Sequence, residues 1–130
     1  TRKLMMYEAI PEINEDGFRY FTKAEFACKH TGKNETKDSF IHSLDQLRHV
    51  CGFPFTITSG YRDKTHPEEI GKAVPGQHNR GVAADVRVTG GMQRRKIVEM
   101  AFVVGFTGIG VSKGFVHLDK RNTQPMLWSY

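Results

Sequence analysis

The fold and the chemistry of this chain are decided by residues 76–85, which read Gly76-Gln77-His78-Asn79-Arg80-Gly81-Val82-Ala83-Ala84-Asp85. A second stretch later in the chain reads Phe115-Val116-His117-Leu118-Asp119. Together they offer two imidazoles and one carboxylate, from His78, Asp85 and His117, which is the ligand set of a zinc ion that keeps one position free. A structural zinc site more often has four ligands rich in cysteine, and this chain has only two cysteines. The ligand set therefore indicates chemistry rather than a structural zinc ion.

Asp85 is the most informative of these residues because it lies inside an apolar, β-branched segment. A carboxylate is costly to bury there unless it is paired or binds a metal. The alternative is a salt bridge between Asp85 and an arginine. The remaining histidines are interpreted as surface or hydrogen-bonded residues, with His66 the least certain because its loop could border the site: His30, His42, His49 and His66.

Outside these two stretches, apolar residues at helical spacing predict two helices. One is at 38–50, with Asp38 as the N-cap, and the other is at about 92–104. Residues 63–77 contain two prolines and two glycines and are predicted to form a long loop. Strands are predicted at residues 53–58, 82–88, 107–111 and 115–120. These elements predict an α+β fold, with a small antiparallel sheet flanked by helices.

The length of 130 residues fits a single domain, 1–130, in which residues 1–17 form an irregular N-terminal arm. Residues 18–21 are expected to be extended. Thr22 and Glu25 have the spacing of a capping box, which predicts a short helical turn. Cys28 and Cys51 are interpreted as small buried residues rather than a disulfide, although pairing stays open.

The net charge of +5 and the pI of about 9.4 favour an anionic partner, such as nucleic acid, an anionic polymer or a cell-wall surface. The basic residues are scattered, without a basic stripe or a nucleic-acid-binding motif, which disfavours specific nucleic-acid binding. No apolar run has the length of a membrane span. The first residues lack the apolar stretch of a signal peptide, but the chain does not begin with Met, so secretion stays open.

Four motifs together resemble the zinc D-alanyl-D-alanine carboxypeptidase family. They are Ser59-Gly60-Tyr61-Arg62, His78-x-x-Gly81-x-Ala83-x-Asp85, Gly108-Ile109-Gly110-Val111 and Phe115-Val116-His117-Leu118-Asp119. This family includes D-Ala-D-Ala dipeptidases, phage L-alanyl-D-glutamate endolysins and murein endopeptidases, and it shares its fold with the hedgehog signalling domain. Glu25-Phe26-x-Cys28 and Trp128-Ser129-Tyr130 resemble a peptidase-like branch found in phages and bacteria. The resemblance covers roughly residues 18–130 and implies a hedgehog/DD-peptidase-like fold.

The resemblance implies one zinc ion per chain, held by His78, Asp85 and His117. Arg62 resembles the arginine that contacts the substrate in this family, and a planar guanidinium can hold two oxygens at once. The alternative for Arg62 is a salt bridge at the end of a strand. Ser59 is expected to be a turn residue or a contact near the substrate rather than a nucleophile.

The sequence departs from the family at two positions. Many members have serine at the position of Gly76, and many have Glu or Asp three residues before the last zinc histidine, where this chain has Gly114. Asp119 is the nearest candidate for the general base, and it could instead orient a ligand histidine. His66 is a weaker candidate for the same role and for substrate contact.

The predicted function is hydrolysis of peptide bonds in peptidoglycan stem peptides or cross-links, by a carboxypeptidase or an endopeptidase such as a phage endolysin. The predicted place of action is the cell wall, reached by secretion, in the periplasm or by phage delivery, and the protein is expected to be a monomer. Two alternatives stay open. One is a zinc-containing binding module without turnover, which Gly114 favours, and the other is a structural component of a phage particle.

Overall fold

A computed structural model of the chain describes residues 9–130; residues 1–8 of the predicted arm lie outside the described residues. Residues 9–17 contain turns but neither helix nor strand. Residues 18–21 form no strand, but Phe18 and Phe21 are buried in the core. The predicted capping box is present, because the Thr22 N–H donates to Glu25 Oε1 at 2.9 Å, and a short 3₁₀ helix, Lys23–Phe26, follows.

Two α-helices form where the apolar spacing predicts them. Helix α1 spans Asp38–Cys51, and helix α2 spans Gly91–Val104 and packs against α1. Asp38 is the first residue of α1, and Lys37 is the N-cap, so the predicted N-cap is one residue too late. The negative charge of Asp38 in the first turn still interacts favourably with the helix dipole. The buried face of α1 contains the residues that the spacing predicts: Phe40, Leu44, Leu47 and Cys51.

Among residues 9–130, five strands form one sheet. They are β1 (Ile57–Ser59), β2 (Ala83–Arg87), β3 (Gly108–Val111), β4 (Phe115–Asp119) and β5 (Met126–Ser129). Their order is β1-β2-β4-β3-β5, with antiparallel pairing throughout except between β3 and β5, which are parallel. The α+β fold is therefore confirmed. The expected antiparallel sheet consists of the first four strands, and the unpredicted strand β5 makes the whole sheet mixed.

The observed strands are shorter than the predicted ones. The largest difference is at the strand predicted for residues 53–58, because only residues 57 and 58 of it lie in β1. Ser59, which was expected in the turn after the strand, is the last residue of β1. Pro54 has no N–H to donate to a neighbouring strand, and Phe55 packs into the core instead. Residues 63–77 form turns without helix or strand, as predicted.

The sheet and both helices share one hydrophobic core. Val116 and Leu118 of β4 are fully buried in it, whereas His117 and Asp119 alternate with them and contact each other on the other face of the strand. Cys28 and Cys51 are both buried free thiols, in agreement with the favoured interpretation. Within residues 9–130, no helix is both long and apolar enough to cross a membrane.

Candidate metal centre

One row of paired residues crosses all five strands and contains much of the predicted site. Ser59 in β1 is paired with Asp85 in β2, and Asp85 with His117 in β4. His117 is paired with Gly110 in β3, and Gly110 with Trp128 in β5. Side chains at paired positions of neighbouring strands point to the same face of a sheet. The strand register therefore brings Asp85 and His117 together.

His78 reaches this row from the end of the loop that precedes β2. The chain turns at Gly81, as predicted, with φ of +75°. A Cβ at Gly81 would lie 2.2 Å from the Glu35 carbonyl oxygen, so only glycine fits both the angle and the space. The Gly81 N–H donates to the His78 carbonyl at 3.3 Å, and the Lys37 N–H donates to the Gly81 carbonyl at 2.9 Å. These bonds fix the turn that places His78 beside Asp85.

The side chains of His78, Asp85 and His117 form a buried cluster. One ligand atom from each residue lies within 4.8 Å of the other two. Asp85 Oδ1 is 3.0 Å from His117 Nδ1 and 3.4 Å from His78 Nε2. In a tetrahedral zinc site with bonds of about 2.0–2.2 Å, neighbouring ligand atoms are roughly 3.3–3.6 Å apart. The two contacts of Asp85 are thus near the spacing that a shared zinc ion requires, and the two imidazole nitrogens lie within 4.8 Å of each other.

The second nitrogen of each imidazole has its own partner. His78 Nδ1 lies 2.7 Å from the Gly60 carbonyl oxygen, which accepts a hydrogen bond from it. His117 Nε2 lies 2.7 Å from Asp119 Oδ2 and donates to that carboxylate. His78 Nε2 and His117 Nδ1 face Asp85, and a zinc ion would bind these two nitrogens in their unprotonated form, as in metal sites where an outer carbonyl or carboxylate orients each ligand histidine. The donor set and its support therefore fit a zinc ion.

Asp119 is completely buried behind His117, and its carboxylate is fully engaged. It accepts hydrogen bonds from the Arg121 backbone N–H at 3.0 Å and from Arg121 Nη2 at 2.6 Å, in addition to His117. Burial acts to raise the pKa of Asp119, but the hydrogen bonds from His117 and Arg121 outweigh it and hold the pKa at about 2. Asp119 is therefore an ionised anchor for the His117 ring.

The two glycines of the Gly108-Ile109-Gly110 motif make room for this arrangement. A Cβ on Gly108 would lie 2.1 Å from Asp119 Oδ1, and a Cβ on Gly110 would lie 2.6 Å from Trp128 Nε1. The Arg121 guanidinium in turn lies over the Trp128 ring, 4.7 Å from its centroid. Glycine is therefore needed at both positions, because Asp119 and Trp128 pack closely against the backbone of β3.

Arg62 lies next to Asp85, at the edge of the cluster. Its Nη2 is 3.4 Å from Asp85 Oδ2, and its Nε donates to Ser59 Oγ at 3.2 Å. The salt bridge between Asp85 and an arginine, which the sequence left open as an alternative to metal binding, is thus present. Asp85 makes it in addition to its contacts with His78 and His117. The pKa of Asp85 lies below its ordinary value, because hydrogen bonds and charges from His117 and His78 outweigh the opposing effect of burial. Ser59 orients the Arg62 guanidinium.

The backbone around Arg62 is held by the Glu25-Phe26-x-Cys28 motif. The Tyr61 N–H donates to the Phe26 carbonyl at 2.8 Å, and the Asp63 N–H donates to Cys28 Sγ at 3.4 Å. Gly60 is necessary for this approach, since a Cβ there would lie 2.6 Å from the same Phe26 oxygen. Phe26 and Cys28 of this motif therefore hold the backbone on both sides of Arg62 in place.

His66 is the one candidate that the structure does not bring to the cluster. Its Nδ1 accepts the Glu68 backbone N–H at 3.0 Å, and its ring packs edge-on against His30, with the centroids 6.0 Å apart. Burial and the positive charges of Arg62 and His30 lower the pKa of His66. His66 is absent from the described side chains that line the cavity beside the cluster.

A cavity of about 520 Å³ opens next to the cluster. Its aromatic wall consists of Phe115, Trp128 and Tyr130. Its basic residues are Arg62, Lys72 and Arg121. Two acids of the 63–77 loop, Glu68 and Glu69, line it as well, and sequence reasoning did not identify them. The sequence offered one indication of these two acids. The loop that contains them is rich in turn residues and precedes His78 directly, so an acid within it can reach the site.

The comparison with protein families decides the classification. A family model described as Peptidase M15 matches residues 19–119, which is well over half of the chain. The chain belongs to the peptidase M15 family. No curated protein matches the chain. The resemblance drawn from the four motifs is thereby confirmed, and the α+β architecture with its five-stranded mixed sheet is consistent with this peptidase fold.

Membership of the peptidase M15 family implies a peptidase that acts on peptidoglycan, outside the cell. The M15 peptidases are zinc enzymes, and this chain has a cluster that could hold a metal ion, formed by His78, Asp85 and His117. The roles of the individual residues stay predictions.

Replacing Asp119 with Asn is expected to weaken zinc binding by about 10–100-fold, the usual cost of losing the partner that orients a ligand histidine. The variant keeps the size of the side chain but loses the charge that anchors His117 Nε2. Competition against a chromophoric chelator measures the affinity. Asp45→Asn is the matched control, since Asp45 is also buried but accepts the backbone N–H groups of Arg19 and Tyr20. Equal zinc affinity in Asp119→Asn and in the wild type would contradict the anchoring role.

Proposed function

We propose that the chain is a zinc-dependent peptidase that hydrolyses peptide bonds in the stem peptides or cross-links of peptidoglycan. The observation that carries the proposal is the buried cluster of His78, Asp85 and His117 beside a cavity that Arg62 also lines. The cluster supplies three ligands, which suits a catalytic zinc ion better than a closed structural one. One zinc ion per chain is proposed.

Each residue of the site has a distinct proposed role. When bound, zinc supplies Lewis acidity, which polarises a carbonyl oxygen and makes water a stronger acid. The Arg62 guanidinium, with 20% of its side chain exposed, donates to the scissile carbonyl oxygen or holds a substrate carboxylate. Ser59 keeps that guanidinium in place through its hydrogen bond to Nε. His66 packs against His30, so no substrate contact is assigned to it.

Asp119 is assigned to orienting His117 rather than to proton transfer. A general base must reach the water that it deprotonates, whereas the Asp119 carboxylate is 0% exposed and does not line the cavity beside the cluster.

The cavity suits a short peptide that carries carboxylates and small apolar side chains. Its basic residues, Arg62, Lys72 and Arg121, can attract carboxylates, and its aromatic wall offers apolar contact. The net charge of +5 adds a general attraction to anionic cell wall that should weaken with salt. We propose that the protein acts at the cell wall as a monomer, in lysis or remodelling, and that a phage endolysin is one form of this role.

Incubating the zinc-loaded protein with purified peptidoglycan is expected to release peptides that mass spectrometry identifies. Free alanine from the end of the stem peptide would indicate a carboxypeptidase, and new termini inside the peptide an endopeptidase. Activity should disappear with a chelator and return with added zinc, and His78→Ala should be inactive in both conditions. A zinc-bound wild type that releases nothing would instead support the second candidate, a binding module without turnover, which the glycine at position 114 favours.

A further inference from the structure

Glu69 is a buried carboxylate on the loop side of the cavity, and the proposed zinc site does not explain it. It is only 6% exposed, yet it lines the same cavity as His78. Its Oε1 accepts the Gly76 N–H at 3.0 Å, and its Oε2 accepts a hydrogen bond from Lys72 Nζ at 3.0 Å. Burying a carboxylate is costly unless it is hydrogen-bonded and compensated by charge. These two contacts hold the Glu69 carboxylate at a fixed place.

The glycine at position 76 leaves room for this carboxylate. A Cβ on Gly76 would lie 2.8 Å from Glu69 Oε2, closer than unbonded atoms normally approach. This position precedes His78 by two residues. The Glu69 carboxylate occupies the space that a side chain there would need.

Among the described residues, the acids that line the cavity are Asp85, Glu68 and Glu69. Asp85 is engaged with His117, His78 and Arg62 as part of the cluster. Glu68 is exposed, so its carboxylate is not held in one position. Position 114, three residues before His117, is a glycine with open space around it, so it offers no acid. Glu69 is therefore the one described acid of the cavity that is both held in place and outside the cluster.

The charges around Glu69 favour its ionised form, in which neither carboxylate oxygen carries a proton. Burial acts to raise the pKa of Glu69, but the Gly76 N–H, the Lys72 ammonium and the Arg62 guanidinium outweigh it and lower the pKa. Glu69 is thus a carboxylate at neutral pH.

We propose that Glu69 is the catalytic proton carrier of this chain. The assignment rests on the peptidase function proposed above. As the oxygen of a water molecule bonds to the carbonyl carbon of the scissile amide, a Glu69 carboxylate oxygen takes one proton from that water. Glu69 then gives this proton to the amide nitrogen as the C–N bond breaks. The products are a carboxylic acid and an amine, and Glu69 returns to its starting state.

The test compares Glu69→Gln with the wild type in three measurements: kcat and KM on a soluble peptidoglycan fragment, zinc per chain, and the melting temperature. Glutamine keeps the size of the side chain and one acceptor but cannot carry the proton. We expect kcat to fall by about 10²–10⁴-fold, the usual contribution of a general acid–base group. KM, zinc content and melting temperature should stay close to the wild-type values. Glu99→Gln, an exposed carboxylate paired with Arg95 on α2, is the matched control and should retain full activity.

Four outcomes would overturn the assignment. Activity of Glu69→Gln within about tenfold of the wild type would exclude a proton-carrying role while leaving the peptidase function intact. Loss of zinc or a lower melting temperature in parallel with activity would make Glu69 a structural support of the loop. A larger loss of kcat in Glu68→Gln would assign the role to Glu68. A zinc-bound wild type without turnover would remove the proposed function and this inference together.

Discussion

Replacing Asp85 with Ala is expected to abolish zinc binding and to lower kcat/KM by more than about 100-fold, because losing even an outer partner of a ligand costs about 10–100-fold. Asp85 is the only carboxylate in the cluster. It also lies between the two imidazoles, at 3.0 Å from His117 and 3.4 Å from His78. Removing it takes away a ligand and the negative charge that offsets a divalent cation. Metal analysis and hydrolysis of a peptidoglycan fragment measure the two effects.

The matched control for this variant is Asp45→Ala. Asp45 is buried to a similar extent, at 8% exposure against 7% for Asp85, but it accepts the backbone N–H groups of Arg19 and Tyr20. Its loss should lower the free energy of unfolding and leave the zinc content unchanged. If Asp85→Ala still bound one zinc ion as tightly as the wild type, the ligand assignment would be wrong.

Replacing Gly108 with Ala is expected to lower the free energy of unfolding by about 3–5 kcal/mol, the cost typical of disrupting a buried charge pair. The added Cβ would lie 2.1 Å from Asp119 Oδ1 and 2.5 Å from Asp119 Oδ2. The carboxylate cannot move aside without breaking its hydrogen bonds to His117 and Arg121. Urea denaturation of the zinc-free protein measures the change, and zinc affinity should fall as well.

Gly114→Ala provides the control for the second substitution. A Cβ at Gly114 meets no atom within 4 Å, so the same chemical change should shift the free energy of unfolding by no more than about 0.5 kcal/mol. Equal stability of Gly108→Ala and Gly114→Ala would show that the contact between Gly108 and Asp119 does not constrain the site.

The sequence predicted those features of the site that depend on residue type and on the spacing of nearby residues. An acid within an apolar strand identified Asp85, and alternation along Phe115–Asp119 correctly predicted that His117 and Asp119 share a face. The position of Gly81 predicted the turn between His78 and Asp85. Each of these features depends on a few neighbouring residues and on simple geometry.

Features that depend on distant pairing could not be predicted in the same way. Strand β5 is mostly exposed and lacks clear alternation, and Trp128 fits beside β3 only because Gly110 has no side chain. The position of Glu69 depends on how the 63–77 loop folds back, which its turn-rich sequence does not specify. The role of Asp119 was ambiguous until its complete burial and its contact with Arg121 were known.

The proposed site has its ligands held in place by the protein itself. Gly60 and Asp119 each hold one ligand histidine, and Gly81 fixes the turn that supports His78. Such support lowers the cost of assembling a metal site, because the ligands need little rearrangement on binding. The proposed role of every other residue of the site therefore depends on one claim, that the His78–Asp85–His117 cluster binds zinc.

Zinc per chain, measured by mass spectrometry of the metal, tests that claim most directly. The wild type and His117→Ala would both be purified without chelators, and circular dichroism would establish that each is folded. We expect about one zinc ion per wild-type chain and a large loss in the variant, because zinc affinity depends on the full ligand set. A folded wild type that contains no zinc, even after zinc is added, would contradict the account.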